Sequence, residues 1–598
     1  MTASRPVGEA TMTVNGADLP ATWYKDLVDA RVEQSIQLPD RFTLRFRDPY
    51  FEHFDDAEGF PIGARVKITY RYGDQEAVVT ESEVTGTSVE PGAEGRHELV
   101  VAGLGLGHRL ARGSEVVTYV NQSDSQVAGQ VAQRFGFRAD VDQSSVQHPY
   151  LLQCGTAYQF LSERAVRCGF RWWVSEGQLH FKRQPTSGDA VTLTWGENLQ
   201  RFRARCSAIE VADDVKVRGW DANQQQVVNG SAKLPADLPA LGSDAQAAKQ
   251  LAGAAAKSPG FHGHRFSGAI PVDDPAEAGK LAEALARRAA AQQFQARGQA
   301  IGNPHLRPGA TVKIDGVGTR LNGSYLLASV EHVVGASQPY VTRFTSGGHD
   351  AGALADLLGD GRRSVASWNG EGLVVGIVTS TRDTEGLGRV KVRFPTLSDN
   401  DESAWARVAA TGAGKSRGFQ IPLEVNDEVL VGFEHGDLNR PIVLGGLWSG
   451  RNAIPRAGDA ASDQQGNITS VWQSKSGHIV EVREGPQPAN NHVLISLADG
   501  KTKLLLAGDQ VTLTTPNTLS ITADRGVSIT TKGDITLDAT NISLKAKAKV
   551  SIEAVQIEEA AKAVLKLSGA QAQVNAQATL SLEGGAMTEV KGALLKLN

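Results

Sequence analysis

Val511-Thr512-Leu513, Leu519-Ser520-Ile521, Val527-Ser528-Ile529, Ile535-Thr536-Leu537, Ile542-Ser543-Leu544 and Val550-Ser551-Ile552 are one motif repeated six times, with starts 8, 8, 8, 7 and 8 residues apart. The outer residues of each triplet are apolar and the middle one is Ser or Thr, the period-two pattern of a strand with one buried face. Turn formers separate the triplets: Pro516-Asn517, Ala523-Asp524-Arg525-Gly526 and Lys532-Gly533-Asp534. The phase blurs around Glu558 to Ala561 and resumes at Leu565-Lys566-Leu567, Leu580-Ser581-Leu582 and Leu594 to Leu597. The pattern predicts a short strand and a corner, repeated about eleven times over residues 511–598.

Such a segment is not expected to fold alone. It contains no Phe, Tyr, Trp, His or Cys, and each strand has only two or so medium-sized side chains to bury. At roughly 25 cal/mol per Å² of apolar burial, that strip does not offset an ordering cost of about 1 to 2 kcal/mol per residue unless other copies pack on it. Two geometries supply the copies. One chain could coil on itself, three octets to a turn, but the 88 residues would make a stub of fewer than four coils. Three chains could instead each give one face of a triangular prism, and the closed β-helix needle that results has few free edges. The second is favoured. A disordered tail fits poorly, because disordered segments are poor in β-branched residues.

Upstream, residues 366–450 carry five strand signals in Leu373–Val378, Arg389–Pro395, Trp405–Val408, Glu428–Phe433 and Pro441–Gly445, with glycine-bearing turns between them. Five short strands in so short a span predict an OB-type barrel. The first 365 residues mix strands (65–70, 170–174, 325–330) with helices expected at 123–135, 156–167 and 275–294, two of them opened by Ser or Thr capping residues. This is an α+β pattern, read as two barrel-like subdomains carrying helical insertions. The stretch 221–270 reads as a loop with an Ala-rich helix in it.

The runs GIVTSTRDTEGLGRVKVRFP (376–395), WARVA (405–409), IPLEVNDEVLVGFEHGDLNRPIVLGGLWSG (421–450) and SKSGHIVEVRE (474–484) resemble the barrel and neck of VgrG and phage spike proteins. HRLARGSEVVTYVNQSDSQVAGQVAQRFGF (108–137), TAYQFLSERAVRCGFRWWV (156–174), GNPHLRPGATVKI (302–314) and GSYLLASVEHVV (323–334) resemble the tube-adapter part of the same family and of phage late-control hub proteins. The resemblance implies a multidomain, mainly β chain. It comprises an α+β hub (1–365), an OB-fold barrel (366–450), a neck (451–510) and a trimeric β-helix spike (511–598). It further implies a homotrimer that adapts a threefold spike to a sixfold tube. Its partners would be the inner tube protein or tube initiator, baseplate proteins, and a PAAR-like tip protein with effector cargo. The target membrane would be touched only on firing. Leu594, Leu595 and Leu597, nearest the end, are the expected tip-docking residues.

Other features point away from chemistry. With 61 basic and 66 acidic residues, no basic surface for nucleic acid is expected. Cys154, Cys168 and Cys206 lack disulfide or metal spacing. Gly412-Ala413-Gly414-Lys415-Ser416 ends like a phosphate loop but has Ala409 where the first glycine belongs, and no helix follows. Gly103, Gly105 and Gly107 miss the third glycine of a dinucleotide fingerprint, since position 108 is His. His262 and His264 have no further ligands at metal spacing, and His435 with Asp437 reads as a structural turn. No catalytic, cofactor-binding or metal residue is expected. The alternatives to a hub and spike are an enzyme-bearing spike or solenoid polysaccharide lyase, and a phage tail fibre or adhesin. The N-terminus lacks a basic flank followed by an apolar core, and no apolar run approaches the roughly 18 residues of a spanning helix. Assembly in the cytoplasm without a signal peptide is therefore expected, within a particle that is membrane-anchored, cytoplasmic or released.

Overall fold

Alternation of apolar and polar side chains builds most of this chain, and the computed structural model shows where each alternating face goes. The structure describes residues 8–596 apart from 37, 57–58, 93–94, 184–190, 207–213, 234–263, 268–269, 293, 320, 337–338, 348–371 and 456–465. The chain divides into two units, Met1–Ala460 and Ala461–Asn598.

The largest sheet of the first unit has 13 strands. Its main path runs Leu199–Cys206, Phe294–Ile301, Val341–Ser346, Gly323–Gly335, Leu27–Ser35, Arg41–Arg47, His97–Gly105, Gln75–Pro91, Arg65–Tyr72, Gly8–Val14 and Ala17–Asp18. The long strand Gly323–Gly335 pairs with two different sets of strands. Its first residues pair with Thr311–Asp315, and from Ser329 onward they pair with Leu27–Ser35 after the register slips past Leu327. One core, with Met12, Phe42, Phe46, Ile68 and Tyr70, lies on one side of this seam. The other, with Leu193, Val312, Ile314, Leu327 and Phe344, lies on the other.

Two insertions decorate this sheet, each with its own core. In the first, helices Asp124–Arg134 and Ala157–Cys168 start where the sequence places them, because each opens with a reciprocal capping box. Ser123 Oγ accepts from the Gln126 N–H at 3.4 Å while Gln126 Oε1 accepts from the Ser123 N–H at 2.9 Å, and Thr156 with Gln159 repeats the arrangement. Gly169, at φ 72°, ends the second helix in the left-handed conformation that glycine adopts without strain. In the second insertion, helix Pro275–Gln292 lies on strands Gln226–Lys233 and Asp214–Asp221, and His264–Ser267 pairs in parallel with the latter. Two of these strands fall inside the stretch read as a loop from sequence. Gly230 permits the close approach: a Cβ there would sit 2.1 Å from the Ala278 carbonyl oxygen on the helix. The expected Ala-rich helix lies mostly within 234–263, outside the described residues.

All five strands expected of the small barrel are present, in the order Lys391–Arg393, Val374–Ser380, Glu428–Phe433, Pro441–Gly446 and Arg407–Val408. Bridges between Val390 and Ala406 and between Arg393 and Glu402 join the last strand region back to the first. The side chains that alternate inward, Val378, Val392, Val429, Val431 and Val443, are fully buried. The α+β hub and the OB-type barrel are thus the architecture of the first unit.

The second unit is a five-strand antiparallel meander followed by the octad segment. Its strands are Ile468–Gln473, Ile479–Glu484, His492–Ser496, Lys503–Ala507 and Gln510–Thr514. Val511-Thr512-Leu513, the first triplet of the repeat, is therefore the last strand of the meander. The tight turn at Gly508 (φ 54°) returns the chain so that Leu506 faces Val511 and Leu504 faces Leu513.

Candidate assembly surfaces

The registers of the meander place Trp472, Val480, Val482, Val493, Ile495, Leu504, Leu506, Val511 and Leu513 on one face. A single-layer sheet has nothing to bury that face against, and Trp472, Ile495, Val511 and Leu513 are 43%, 47%, 72% and 54% exposed.

Beyond Thr514 the exposure increases. The chain bends near residues 516, 524, 532, 540, 547, 555, 562, 570, 577, 585 and 593, at intervals of seven or eight residues with no gap. The phase that blurs in the sequence at Glu558 to Ala561 is continuous in the backbone, since the corner at Val555 and the one at Lys562 fall on schedule. What fails there is the side-chain pattern, where Glu and Ala take positions held elsewhere by Val, Ile and Leu. No strand ladder forms among the described residues of this segment. A single-chain coil would pair each strand with one about three octets later in the same chain, and that pairing is not made. The apolar members of the triplets from Leu519 to Leu582 are all more than half exposed. Within each triplet the second is more exposed than the first, as in Leu519 and Ile521 (54% and 71%) or Leu580 and Leu582 (54% and 73%). This is one repeated local conformation with its apolar strip uncovered. Of the expected tip-docking residues, Leu594 and Leu595 are exposed at 76% and 59%, and Leu597 lies outside the described residues.

A different arrangement fixes the small barrel to the first hub insertion, and the sequence gives no sign of it. Arg167, near the end of helix Ala157–Cys168, donates from Nη2 to Asp437 Oδ2 at 2.7 Å and from Nη1 to Glu277 Oε1 at 3.3 Å. Asp437 comes from the barrel turn and Glu277 from helix Pro275–Gln292, so one guanidinium ties three elements together. The neighbouring bonds are likewise partly buried. Asn439 Oδ1 accepts from the Leu152 N–H at 2.6 Å, Thr118 Oγ1 donates to Asp401 Oδ1 at 3.0 Å, and the Tyr150 hydroxyl donates to the Glu402 carbonyl. Burial pushes the Asp437 carboxyl up, but Arg167 and the Asn439 donors bring it net below the ordinary carboxylate value. The turn residue singled out with His435 is thus a structural anchor. His435 itself adopts a left-handed backbone (φ 51°) in the same turn.

Beside this junction lies a small cavity lined by Asp124, His148, Arg164, Cys168 and Arg183 among others. An acid, an imidazole and a thiol so close together invite a catalytic reading, and the geometry opposes it. Arg164 donates from Nε to Asp124 Oδ1 at 2.5 Å, and His148 Nε2 lies 2.8 Å from Arg164 Nη2 and 3.1 Å from Asp124 Oδ2, so that imidazole nitrogen is already engaged. Cys168 Sγ donates to the Arg164 carbonyl at 3.2 Å, and burial pushes its thiol far above the ordinary value, away from the thiolate a nucleophile needs.

The remaining motifs resolve into packing and turns. Gly103 and Gly105 are close-approach positions in strand His97–Gly105, where a Cβ on Gly103 would meet Phe42 at 2.1 Å. Gly412–Ser416 spans an exposed hairpin of strands Ala413–Gly414 and Arg417–Gly418. His262 lies outside the described residues, and His264 starts a strand. Among the described residues no group of three His, Cys, Asp or Glu could hold a metal, and no helix is long and apolar enough to cross a membrane.

Two family models match the chain: the Alg8 N-terminal domain over residues 10–336, more than half of its length, and the type VI secretion system/phage-baseplate injector OB domain over residues 374–448. The type VI secretion system spike protein VgrG1c of Pseudomonas aeruginosa is 37% identical over 99 residues, 16% of this chain and 13% of the relative. Spike protein VgrG3 of Vibrio cholerae is 38% identical over 77 residues, 12% of this chain and 8% of the relative. The matches therefore span only a small part of those relatives' length. A solved Francisella PdpA–VgrG complex, in its lidded form, aligns over 85% of this chain and 80% of the other with a TM-score of 0.51 at 10% identity, a likeness of fold.

Proposed function

The chain belongs to the family of the Alg8 N-terminal domain and is VgrG-like, and from that premise we propose that it is the trimeric hub and spike of a contractile injection system. The hub part (1–365) forms a platform for the first ring of tube protein, and the barrels (366–450) make a collar on the threefold axis. The neck (451–510) leads into the octad segment (511–598), a three-chain β-helix needle. Leu594, Leu595 and Leu597 dock a small tip protein with its cargo. The role is mechanical: contraction of a sheath does the work, and the chain concentrates force and carries attached proteins. No catalysis is assigned to it.

The observation that carries this reading is the uncovered strip. Each medium-sized apolar side chain gains about 1.5 to 3 kcal/mol when covered, so a regular strip of them left open in one chain calls for sister chains that repeat it in register. A three-copy assembly closes the strip and gives the bare backbone edges partners. The meander face, continuous with the strip, is covered in the same way. Light scattering on the purified full chain tests the reading. Three times 63.5 kDa is expected, and a stable species of 63.5 kDa would overturn it.

A further inference from the structure

A second uncovered surface, of opposite character, lies on the hub. Strand Leu199–Cys206 is an edge of the 13-stranded sheet, so among the described residues one side of its backbone has no strand beside it. Phe202 and Ala204 turn inward against the second hub core, and Arg201, Arg203 and Arg205 are exposed on the other face. The register sets Arg203 directly opposite Arg297 of the next strand, which is also exposed. Like charges facing each other across a ladder are destabilising. None of these four arginines makes an ion pair among the described residues. Further along the same face, Arg343 and Arg31 share Glu331, at 2.9 and 3.3 Å, so that carboxylate is already engaged. Trp195, 50% exposed, stands at the head of the edge strand, bridged to Leu199.

Charged side chains also protect bare sheet edges from accidental pairing. That accounts for Arg201, Arg203 and Arg205 but not for Arg297, which lies one strand inward, where its charge guards no edge and repels Arg203. An exposed Trp beside a row of Arg is the composition that dominates binding energy at protein interfaces. We propose that this edge accepts a β-strand from another protein, one bearing carboxylates at alternate positions. Alternate residues of a strand recur every ~6.6 Å, so acids on an added strand fall into register with the arginine row while the two backbones hydrogen-bond. A nucleic acid could satisfy the charge but not the open peptide edge. The opposite end of the same sheet, Gly8–Val14 with Ala17–Asp18 paired on it, carries Glu9, already paired with Arg71, and Asp18 on a separate strand, so it offers no row of alternate acids and a second copy of this chain fits less well. The inference does not depend on the tail assembling.

The test uses the full chain and three labelled probes: an octapeptide alternating Val and Glu, its counterpart with Lys in place of Glu, and an eight-nucleotide oligothymidylate. The acidic peptide is expected to bind, to protect amides of residues 199–206 from hydrogen exchange, and to lose affinity about 10-fold or more in the Arg203→Glu/Arg297→Glu protein. The neutral Arg203→Gln/Arg297→Gln protein should fall between, with its melting temperature at or above that of the parent because a repulsive pair is gone. The proposal is overturned by equal binding of parent and reversed proteins, by oligothymidylate binding as tightly as the peptide, by peptide binding without protection of 199–206, or by no binding of the acidic peptide.

Discussion

Val431 in the barrel and Ile529 in the tail occupy the same local pattern, an apolar residue two positions from another apolar residue in a short extended segment. One is fully buried and the other is 74% exposed. The barrel strand closes with four others from its own chain, and the tail strand has no such neighbours. The same apolar spacing therefore specifies the inward face in both places but leaves open who supplies the covering layer. In the hub and barrel the chain supplies it; in the tail the proposed trimer would.

The contrast breaks most visibly if the tail is disturbed. Ile529→Asp with Ile535→Asp places charges on the strip, and the three-copy mass should fall to a single-chain mass in light scattering while the hub's melting transition stays where it was. A hub transition lost along with the assembly would show that the first unit also needs its copies. The converse experiment targets the junction. Arg167→Met takes from the buried Asp437 and Glu277 the guanidinium they share, and the first unit should lose about 3 kcal/mol in denaturant titration with the oligomeric mass unchanged. Adding Asp437→Asn and Glu277→Gln should recover much of it, because the charges that cost the most are then gone.

Acid sharpens the comparison next, since the described hub holds a fully buried imidazole and the tail has no histidine. His332 Nδ1 lies 2.9 Å from the Tyr340 hydroxyl and Nε2 lies 3.1 Å from the Leu306 carbonyl, and burial pushes its pKa down to about 3. The unfolded chain takes up that proton near pH ~6.5 and the folded chain does not, so stability is full above ~6.5 and falls as pH drops toward 3, by at most ~1.4 kcal/mol per pH unit. Asp40 acts in the opposite sense. Burial raises its carboxyl to about 6, which favours the folded state as pH falls from 6 toward ~4. His332→Gln should flatten the acid slope of the melting temperature measured from pH 7 to 4. Smallest is the effect expected at the end of the tail: Leu594→Ser with Leu595→Ser should leave mass and melting within ~0.5 kcal/mol of the parent, yet abolish co-purification of a tip protein.

Much of the fold was legible because it rests on local rules. Capping boxes at Ser123 and Thr156 announce their helices, and the Val429/Val431 alternation announces a barrel strand. The strands Gln226–Lys233 and His264–Ser267 were missed because small and polar residues, read locally, look like loop. Their place in a sheet is decided by non-local partners: helix Pro275–Gln292 packs on the first, and Asp214–Asp221 pairs with both. The tail's repeat was legible, and so was its lack of a partner. The assignment of Val511–Leu513 was not, since the triplet is indistinguishable from its successors and only the turn at Gly508 folds it back. The Arg167–Asp437 contact joins residues 270 apart in the chain, and the arginine row shows its unmet charge only once the register sets Arg203 against Arg297. No short-range pattern encodes either.

Strand Gly323–Gly335 carries a mechanical corollary. Because the two hub cores share one uninterrupted stretch of backbone, no cleavage plane of weak side-chain contacts runs along that seam. A blow delivered to either core travels into the other along peptide bonds and their ladder, so the pair should recoil as a single stiff body instead of slipping past one another.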